Sequence, residues 1–197
     1  MQETEFQTVI DGMAVIPYHP QRGALKEDAL LQLYHRLHEE ELYPIVFHEN
    51  PEMTALEFMN FFNMPRTLLA VLGIMEPKPE FAGMAWLSEV TNCQDVITRA
   101  TGSFVYFKKF QTPKITTALG KRVLDFWFNH LKINTLVGVT PASNRVALAY
   151  IKRLGFKQCG MVPSFTTLFG SVTDAVVTVM TQSDWSKMED GHGEIAG

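Results

Sequence analysis

Residues 104–116 read Phe-Val-Tyr-Phe-Lys-Lys-Phe-Gln-Thr-Pro-Lys-Ile-Thr, a strand that runs directly into a helix. The apolar start of this stretch predicts a strand over 103–110. Thr112 predicts the helix cap, and Pro113 suits the first helical position, where its missing N–H costs no hydrogen bond. Apolar residues then recur at helical spacing as far as Leu131, which predicts a long amphipathic helix.

The start of this helix is a candidate anion site. The first turn of a helix has unpaired N–H groups at the positive end of the helix dipole, and these attract phosphate. Lys114 lies in that turn, where a lysine opposes the dipole at a cost of about a few tenths of a kcal/mol unless an anion lies between them. On this stretch alone, a solvated lysine is the simpler explanation.

The flanking sequence predicts the rest of the fold. Strands are predicted at 13–18, 67–75, 81–90, 135–139, 156–161 and 175–181, helices at 30–42, 54–62 and 144–154, and a loop at 91–95. A meander of strands that passes into β-α-β crossovers predicts an α/β (mixed α+β) domain. Its sheet should be mixed but mostly antiparallel, with about seven strands and about four flanking helices.

Composition narrows the class of protein. A length of 197 residues predicts one domain over 1–185, with a polar, glycine-rich and flexible tail over 186–197. A net charge of −4 argues against a nucleic-acid or membrane partner, and no apolar run approaches the roughly 18–20 residues that span a bilayer. An acidic N-terminus and two distant cysteines, Cys93 and Cys159, favour a cytoplasmic protein with reduced thiols and no bound metal.

A second motif follows the predicted strand at 135–139. Residues 141–156 read Pro-Ala-Ser-Asn-Arg-Val-Ala-Leu-Ala-Tyr-Ile-Lys-Arg-Leu-Gly-Phe. This resembles the C-terminal motif of the GCN5-related N-acetyltransferase (GNAT) superfamily, in which an Asn opens the helix after the fifth strand and the helix ends in Leu-Gly-Phe. Asn144 and Gly155 have that spacing. The resemblance covers 102–156, is closest to the branch that acetylates ribosomal-protein N-termini, and rests on element order alone over 13–90.

The resemblance implies a coenzyme A site. The phosphate loop of the family reads Arg/Gln-x-x-Gly-x-Gly/Ala, and the matching positions are Gln111, Lys114 and Thr116, so the glutamine is kept and both small residues are lost. Side chains of Lys114 and Thr116 would then replace part of the contact that the backbone makes beside glycine. The residues implied to bind acetyl-CoA are Tyr106, Phe107, Lys108, Gln111, Thr112, Pro113, Lys114, Ile115, Thr116 and Asn144.

The resemblance also implies the reaction, which is transfer of an acetyl group to a primary amine of a small molecule or a protein N-terminus. The thioester would lie where the strand ending at Tyr106-Phe107 separates from residues 137–139, with the amides near Phe107 and Lys108 as donors. Glu89 is the candidate base, with His19 and His48 as weaker candidates. Tyr150 is a candidate acid. A solvated Glu89 and a core-packed Tyr150 remain the simpler alternatives.

A different class of function stays open. Small bacteriophage-borne proteins that resemble the family also lack the loop glycines, so a GNAT-fold binding or structural protein without catalysis is the alternative. The aromatic cluster Phe58, Phe61, Phe62 and Met64 could line an acceptor pocket, although core packing explains it more simply. Exposed strand edges would allow a homodimer.

Overall fold

The computed structural model describes residues 8–10, 12–18, 25, 27–94 and 96–193, with side chains described for 12–18, 25, 27–94 and 96–189. Its strands are β1 Thr8–Ile10, β2 Met13–Pro17, β3 Leu68–Ile74, β4 Glu80–Cys93, β5 Val96–Tyr106, β6 Thr135–Pro141, β7 Lys157–Leu168 and β8 Ser171–Thr181. Its helices are α1 Glu27–Glu39, α2 Tyr43–Val46, α3 Ala55–Phe62, α4 Pro113–Asp125, α5 Arg145–Arg153 and α6 Gln182–Gly193. A 3₁₀ turn, Lys108–Phe110, follows β5, and a π-helical turn, Phe126–His130, extends α4.

The strands form one sheet in the order β1-β2-β3-β4-β5-β6-β8-β7. Neighbouring strands are antiparallel except β5 and β6, which are parallel. The predicted fold class is therefore confirmed. Within the described residues there are eight strands and six α-helices, rather than about seven and four, because the short β1, α2 and α6 lacked a recognised signal.

The helix α3 begins with a capping box and packs its aromatic face into the core. Thr54 caps α3: its Oγ1 accepts from the Glu57 amide at 3.3 Å, and the Glu57 carboxylate accepts from the Thr54 amide at 2.8 Å. Phe58 and Phe62 are buried, which confirms core packing for that cluster, while Met64 is exposed. No helix in the described part of the chain has the length and apolar character to cross a membrane.

The long helix and the Asn-led helix also match their predictions. The Thr112 hydroxyl caps α4 by accepting from the Ile115 amide at 3.4 Å, and the helical path continues through the π turn to His130. Asn144 Oδ1 caps α5 by accepting from the Ala147 amide at 3.1 Å. Gly155 has φ +93° and ends α5, as only glycine does without strain.

The predicted loop at 91–95 and the predicted strand at 103–110 are both wrong at their ends. Asn92 pairs with Ile97 and Cys93 with Val96, so β4 and β5 continue as a ladder almost to the hairpin turn. Strand β5 ends at Tyr106, and residues 108–110 form the 3₁₀ turn instead. Polar residues at 91–93 suggested a loop, but an exposed hairpin end tolerates polar side chains on both faces.

The predicted tail at 186–197 begins inside a helix. Thr181 caps α6 by accepting from the Asp184 amide at 3.1 Å, and the Asp184 carboxylate accepts from the Thr181 amide at 3.2 Å. Trp185 is buried and stacks on Phe128 with ring centroids 6.0 Å apart. Residues through Gly193 are therefore helical, and a flexible end remains a prediction for the rest.

Candidate functional site

A crevice opens between the two parallel strands. β5 and β6 pair only at Ala100 with Leu136 and Thr101 with Val137. Beyond that point β5 stays paired with β4, and β6 stays paired with β8 as far as Pro141. The two strands therefore separate toward their carboxyl ends, the edge of a parallel sheet where ligands bind.

Two helix N-termini flank this crevice. α4 begins a few residues after β5, and α5 a few residues after β6, so both positive helix ends lie at the carboxyl edge of the two strands. Residues 111–114 are exposed, and the Lys114 amide has no hydrogen-bond partner within the described chain. The opening of α4 is thus accessible to an anion.

Two of the predicted phosphate-loop side chains serve the loop itself. Gln111 Nε2 donates to the Tyr106 carbonyl at 2.8 Å. Thr116 is buried, and its hydroxyl donates to the Thr112 carbonyl at 3.0 Å. The expected side-chain contact from Thr116 to a phosphate is therefore not available in this arrangement, whereas the Lys114 side chain is exposed and free to make one.

The two amides predicted to face the thioester are already engaged. The Phe107 amide donates to the Ala82 carbonyl of β4 at 2.9 Å, and the Lys108 amide donates to Glu40 Oε2 at 2.5 Å. Successive amides of a strand point in opposite directions. The Tyr106 amide consequently points away from β4 and toward the crevice.

Tyr150 lies in the core beside Tyr106. Their hydroxyl oxygens are 2.6 Å apart, and both side chains are buried. Burial raises the pKa of both hydroxyls, and for Tyr150 the neighbouring Tyr106 raises it further, so both stay protonated at neutral pH. This geometry fits the packing interpretation of Tyr150. A role as general acid remains a prediction.

Glu89 lies at the closed end of the crevice, away from its mouth. It occupies a bulge in β4 with φ 52°, is exposed, and its Oε2 accepts from the Thr101 hydroxyl at 2.8 Å. Thr101 precedes Tyr106 by five residues, about 17 Å along a strand. The end of β4 lies beside the start of β5 because the strands are antiparallel, so Glu89 lies beside Thr101, where the pairing of β5 with β6 stops. Its role as base remains a prediction.

The structure adds a charged network that the sequence did not reveal. Arg36 of α1 donates to Glu40 Oε1 at 2.9 Å and to the Phe81 carbonyl at 2.8 Å, and its guanidinium lies 4.0 Å from the Phe107 ring centroid. The hydrogen bond that the Lys108 amide donates to the Glu40 carboxylate holds the end of α1 over the end of β5. No local sequence pattern indicates this network, because Glu40 and Lys108 are 68 residues apart in the chain.

A pocket of about 550 Å³ adjoins that network. It lies between the α1–α2 corner, the start of the 3₁₀ turn after β5 and the tip of the β7–β8 hairpin. Its lining comprises His38, Glu41, Leu42, Pro44, Ile45, Lys108 and Phe169. The pocket is therefore lined by apolar side chains together with charged side chains of both signs. Within the described residues, no group of three or more His, Cys, Asp or Glu side chains could hold a metal ion.

Comparison with known proteins gives the fold. Neither a family model nor a curated protein matches the sequence. The solved spermidine N-acetyltransferase of Vibrio cholerae, in complex with CoA and spermine, superposes with a TM-score of 0.73 at 15% identity, over 90% of this chain and 99% of that one. The chain has the GNAT fold. The resemblance read from residues 141–156 is confirmed at that level.

Other GNAT-fold structures superpose comparably. A chimera of the Vibrio cholerae spermidine enzyme with hSSAT gives a TM-score of 0.72 at 18% identity, over 89% of this chain and 99% of that one. The ribosomal-protein-S5-alanine acetyltransferase of Vibrio fischeri gives 0.68 at 11% identity, over 92% and 99%. Similarity at these identities concerns the fold, and function has to be argued from the site.

Proposed function

We propose that this protein is an acetyl-CoA-dependent N-acyltransferase that moves an acetyl group to a primary amine of a small molecule or a protein N-terminus by direct attack on the thioester. The single observation behind this proposal is the separation of β5 from β6 after two paired residues. That separation exposes strand edges and two helix N-termini at one place, which suits a long anionic ligand.

The residues at the crevice fit coenzyme A. The exposed opening of α4, with the unpartnered Lys114 amide and the Lys114 side chain, would hold the diphosphate. The Tyr106 amide would hold the pantetheine or the thioester carbonyl, and the Asn144 side-chain NH₂ remains available because its Oδ1 makes the cap. The bound cofactor supplies an activated acetyl group as a thioester.

Thermal melting with and without acetyl-CoA tests this proposal. A ligand at a hundredfold excess over its dissociation constant stabilises the folded state by about 2.7 kcal/mol. For a chain of this size that corresponds to an increase in melting temperature of roughly 5–10 °C. We expect such a shift, together with thiol release from acetyl-CoA when a panel of primary amines is added.

One observation favours a second function. Thr116 occupies the position of a small residue, is buried, and uses its hydroxyl within the loop, so the backbone of α4 approaches a diphosphate less closely than glycine would allow. If the backbone of α4 cannot approach the diphosphate closely enough to bind it, the protein would be a GNAT-fold binding or structural protein without catalysis. Stabilisation by coenzyme A without thiol release, or no stabilisation at millimolar acetyl-CoA, would favour this alternative.

A further inference from the structure

His48 is fixed between the loop after α2 and strand β7. Its Nδ1 lies 3.2 Å from the Thr166 hydroxyl oxygen, and its own carbonyl accepts from the Thr167 hydroxyl at 3.0 Å. The histidine is half-buried and Thr166 is buried. Two bonds between segments about 118 residues apart hold both the loop and the imidazole ring in place.

One side of this bridge is anchored on β4. Phe47, the residue before His48, stacks on Trp86 with ring centroids 5.5 Å apart and planes 8° apart. Trp86 is the partner of Ser103 in the β4–β5 ladder. Side chains of partnered residues lie on the same face of a sheet, and successive side chains along a strand lie on alternate faces. Tyr106 is three residues after Ser103, so its side chain lies on the face opposite to that of Trp86. Phe47 therefore lies on the face opposite to Tyr106 and to the helices α4 and α5.

The other side of the bridge is anchored beyond the end of β6. Thr166 pairs with Thr173 of β8, and Ala175, two residues further, pairs with Pro141. Thr166 thus belongs to the part of the β7–β8 hairpin that extends past the carboxyl end of β6.

His48 consequently lies over the crevice. In the sheet, β5 and β6 are the strands between β4 and β8. Phe47 contacts Trp86 of β4 and the adjacent His48 contacts Thr166 of β7, so these two residues together cross the gap between β5 and β6. Continuing the parallel register from Thr101 and Val137 brings Ser103 level with Val139. The bridge therefore crosses near the mouth, close to the level of Tyr106, from the face not covered by α4 and α5.

The surroundings keep the imidazole neutral. Burial lowers the pKa of His48, and the Glu49 carboxylate acts in the opposite direction. The groups that contact it from β7 are the uncharged hydroxyls of Thr166 and Thr167. A neutral imidazole with one nitrogen fixed by a hydrogen bond is a suitable base at neutral pH.

We propose that Nε2 of His48 is the base that takes a proton from the ammonium group of the acceptor, while Nδ1–H donates to Thr166. This inference rests on the proposed function. Of the three ammonium protons, one passes to Nε2 and then to solvent. The freed amine forms a bond to the acetyl carbonyl carbon while the C–S bond breaks, a second proton leaves with the sulfur as a thiol, and the third stays on the amide product.

The test compares His48→Asn with wild type and with the control His35→Asn. Asparagine keeps a donor near the Nδ1 position and removes the base, and His35 is exposed on α1, away from this bridge. Initial rates of thiol release are measured with acetyl-CoA and a primary amine between pH 5.5 and 9.5. We expect His48→Asn to lower kcat about 100- to 10,000-fold near pH 7, with a loss that shrinks as pH rises.

Melting temperature, stabilisation by acetyl-CoA and NMR titration distinguish a failure of the His48 role from a failure of the proposed function. Melting temperature and stabilisation by acetyl-CoA should be unchanged in both variants. An NMR titration of the protein without ligand should show His48 protonating below the pH of an ordinary histidine, with hydrogen on Nδ1. Equal rates and pH profiles for wild type and His48→Asn, or hydrogen on Nε2, would overturn the role of His48 alone. A wild-type protein that binds no acetyl-CoA and releases no thiol would overturn the proposed function, and this role with it.

Discussion

Replacing Gly120 by alanine tests how closely α4 and α5 pack beneath the crevice. A Cβ at this position would overlap the Tyr150 hydroxyl oxygen and lie 2.9 Å from Leu154 Cδ2. Alanine gains about 0.8–1.0 kcal/mol of helix propensity over glycine. Overpacking costs about 1–3 kcal/mol, and displacing the Tyr150 hydroxyl from Tyr106 costs about 0.5–1.5 kcal/mol more. We expect a net loss of about 2 kcal/mol.

Denaturant unfolding measures this loss, and a second change isolates its cause. Tyr150→Phe removes the overlapping oxygen, so the double variant Gly120→Ala with Tyr150→Phe should lose less than the sum of the single losses, by about 1 kcal/mol. Gly160→Ala is the matched control, because no heavy atom lies within 4 Å of its Cβ position. A Gly120→Ala protein as stable as wild type, or strictly additive losses, would refute the described packing.

Two further predictions concern buried and charged groups away from the crevice. The buried Tyr43 hydroxyl has no hydrogen-bond partner within the described chain. Tyr43→Phe should therefore leave the free energy of unfolding unchanged or raise it by about 1 kcal/mol. A decrease of more than about 1 kcal/mol in chemical denaturation would contradict this. Hydrogen bonds from Lys157 and Thr181 lower the pKa of Asp184 to about 2 from 3.8, so its carboxylate stabilises the fold above pH 3.8 and loses that effect as pH falls toward 2. The difference in free energy of unfolding between wild type and Asp184→Asn should therefore shrink over that interval in acid unfolding, and a constant difference would count against these hydrogen bonds.

Local signals in the sequence were sufficient for the boundaries of the two helices that flank the crevice, although not for those of β5. Thr112 with Pro113 and Asn144 with Gly155 each set a helix boundary through contacts within a few residues, and the structure shows those contacts. A capping pattern of the same kind, Thr181 with Asp184, was also present and went unrecognised beside a glycine-rich end. Helix boundaries that depend on contacts within a few residues of the chain can be predicted without knowing the fold.

Contacts between distant segments could not be predicted in this way. The Glu40 carboxylate meets the Lys108 amide, and His48 meets Thr166, only because the sheet and the helices bring them together. The position of Glu89 illustrates the same limit. In sequence Glu89 looks close to the crevice mouth, but the antiparallel partner places it beside Thr101, which lies about 17 Å along β5 from Tyr106.

Titration of coenzyme A by calorimetry into wild type and Lys114→Glu tests most directly whether the α4 opening binds the diphosphate. A glutamate in the first turn favours the helix dipole, so Lys114→Glu should be as stable as wild type or more stable, yet it should bind coenzyme A about tenfold more weakly, which corresponds to about 1.4 kcal/mol. Lys187→Glu makes the same charge change on the exposed side of α6 and should bind as wild type does. No binding by wild type at millimolar coenzyme A, or equal affinity in wild type and Lys114→Glu, would contradict this account of the site.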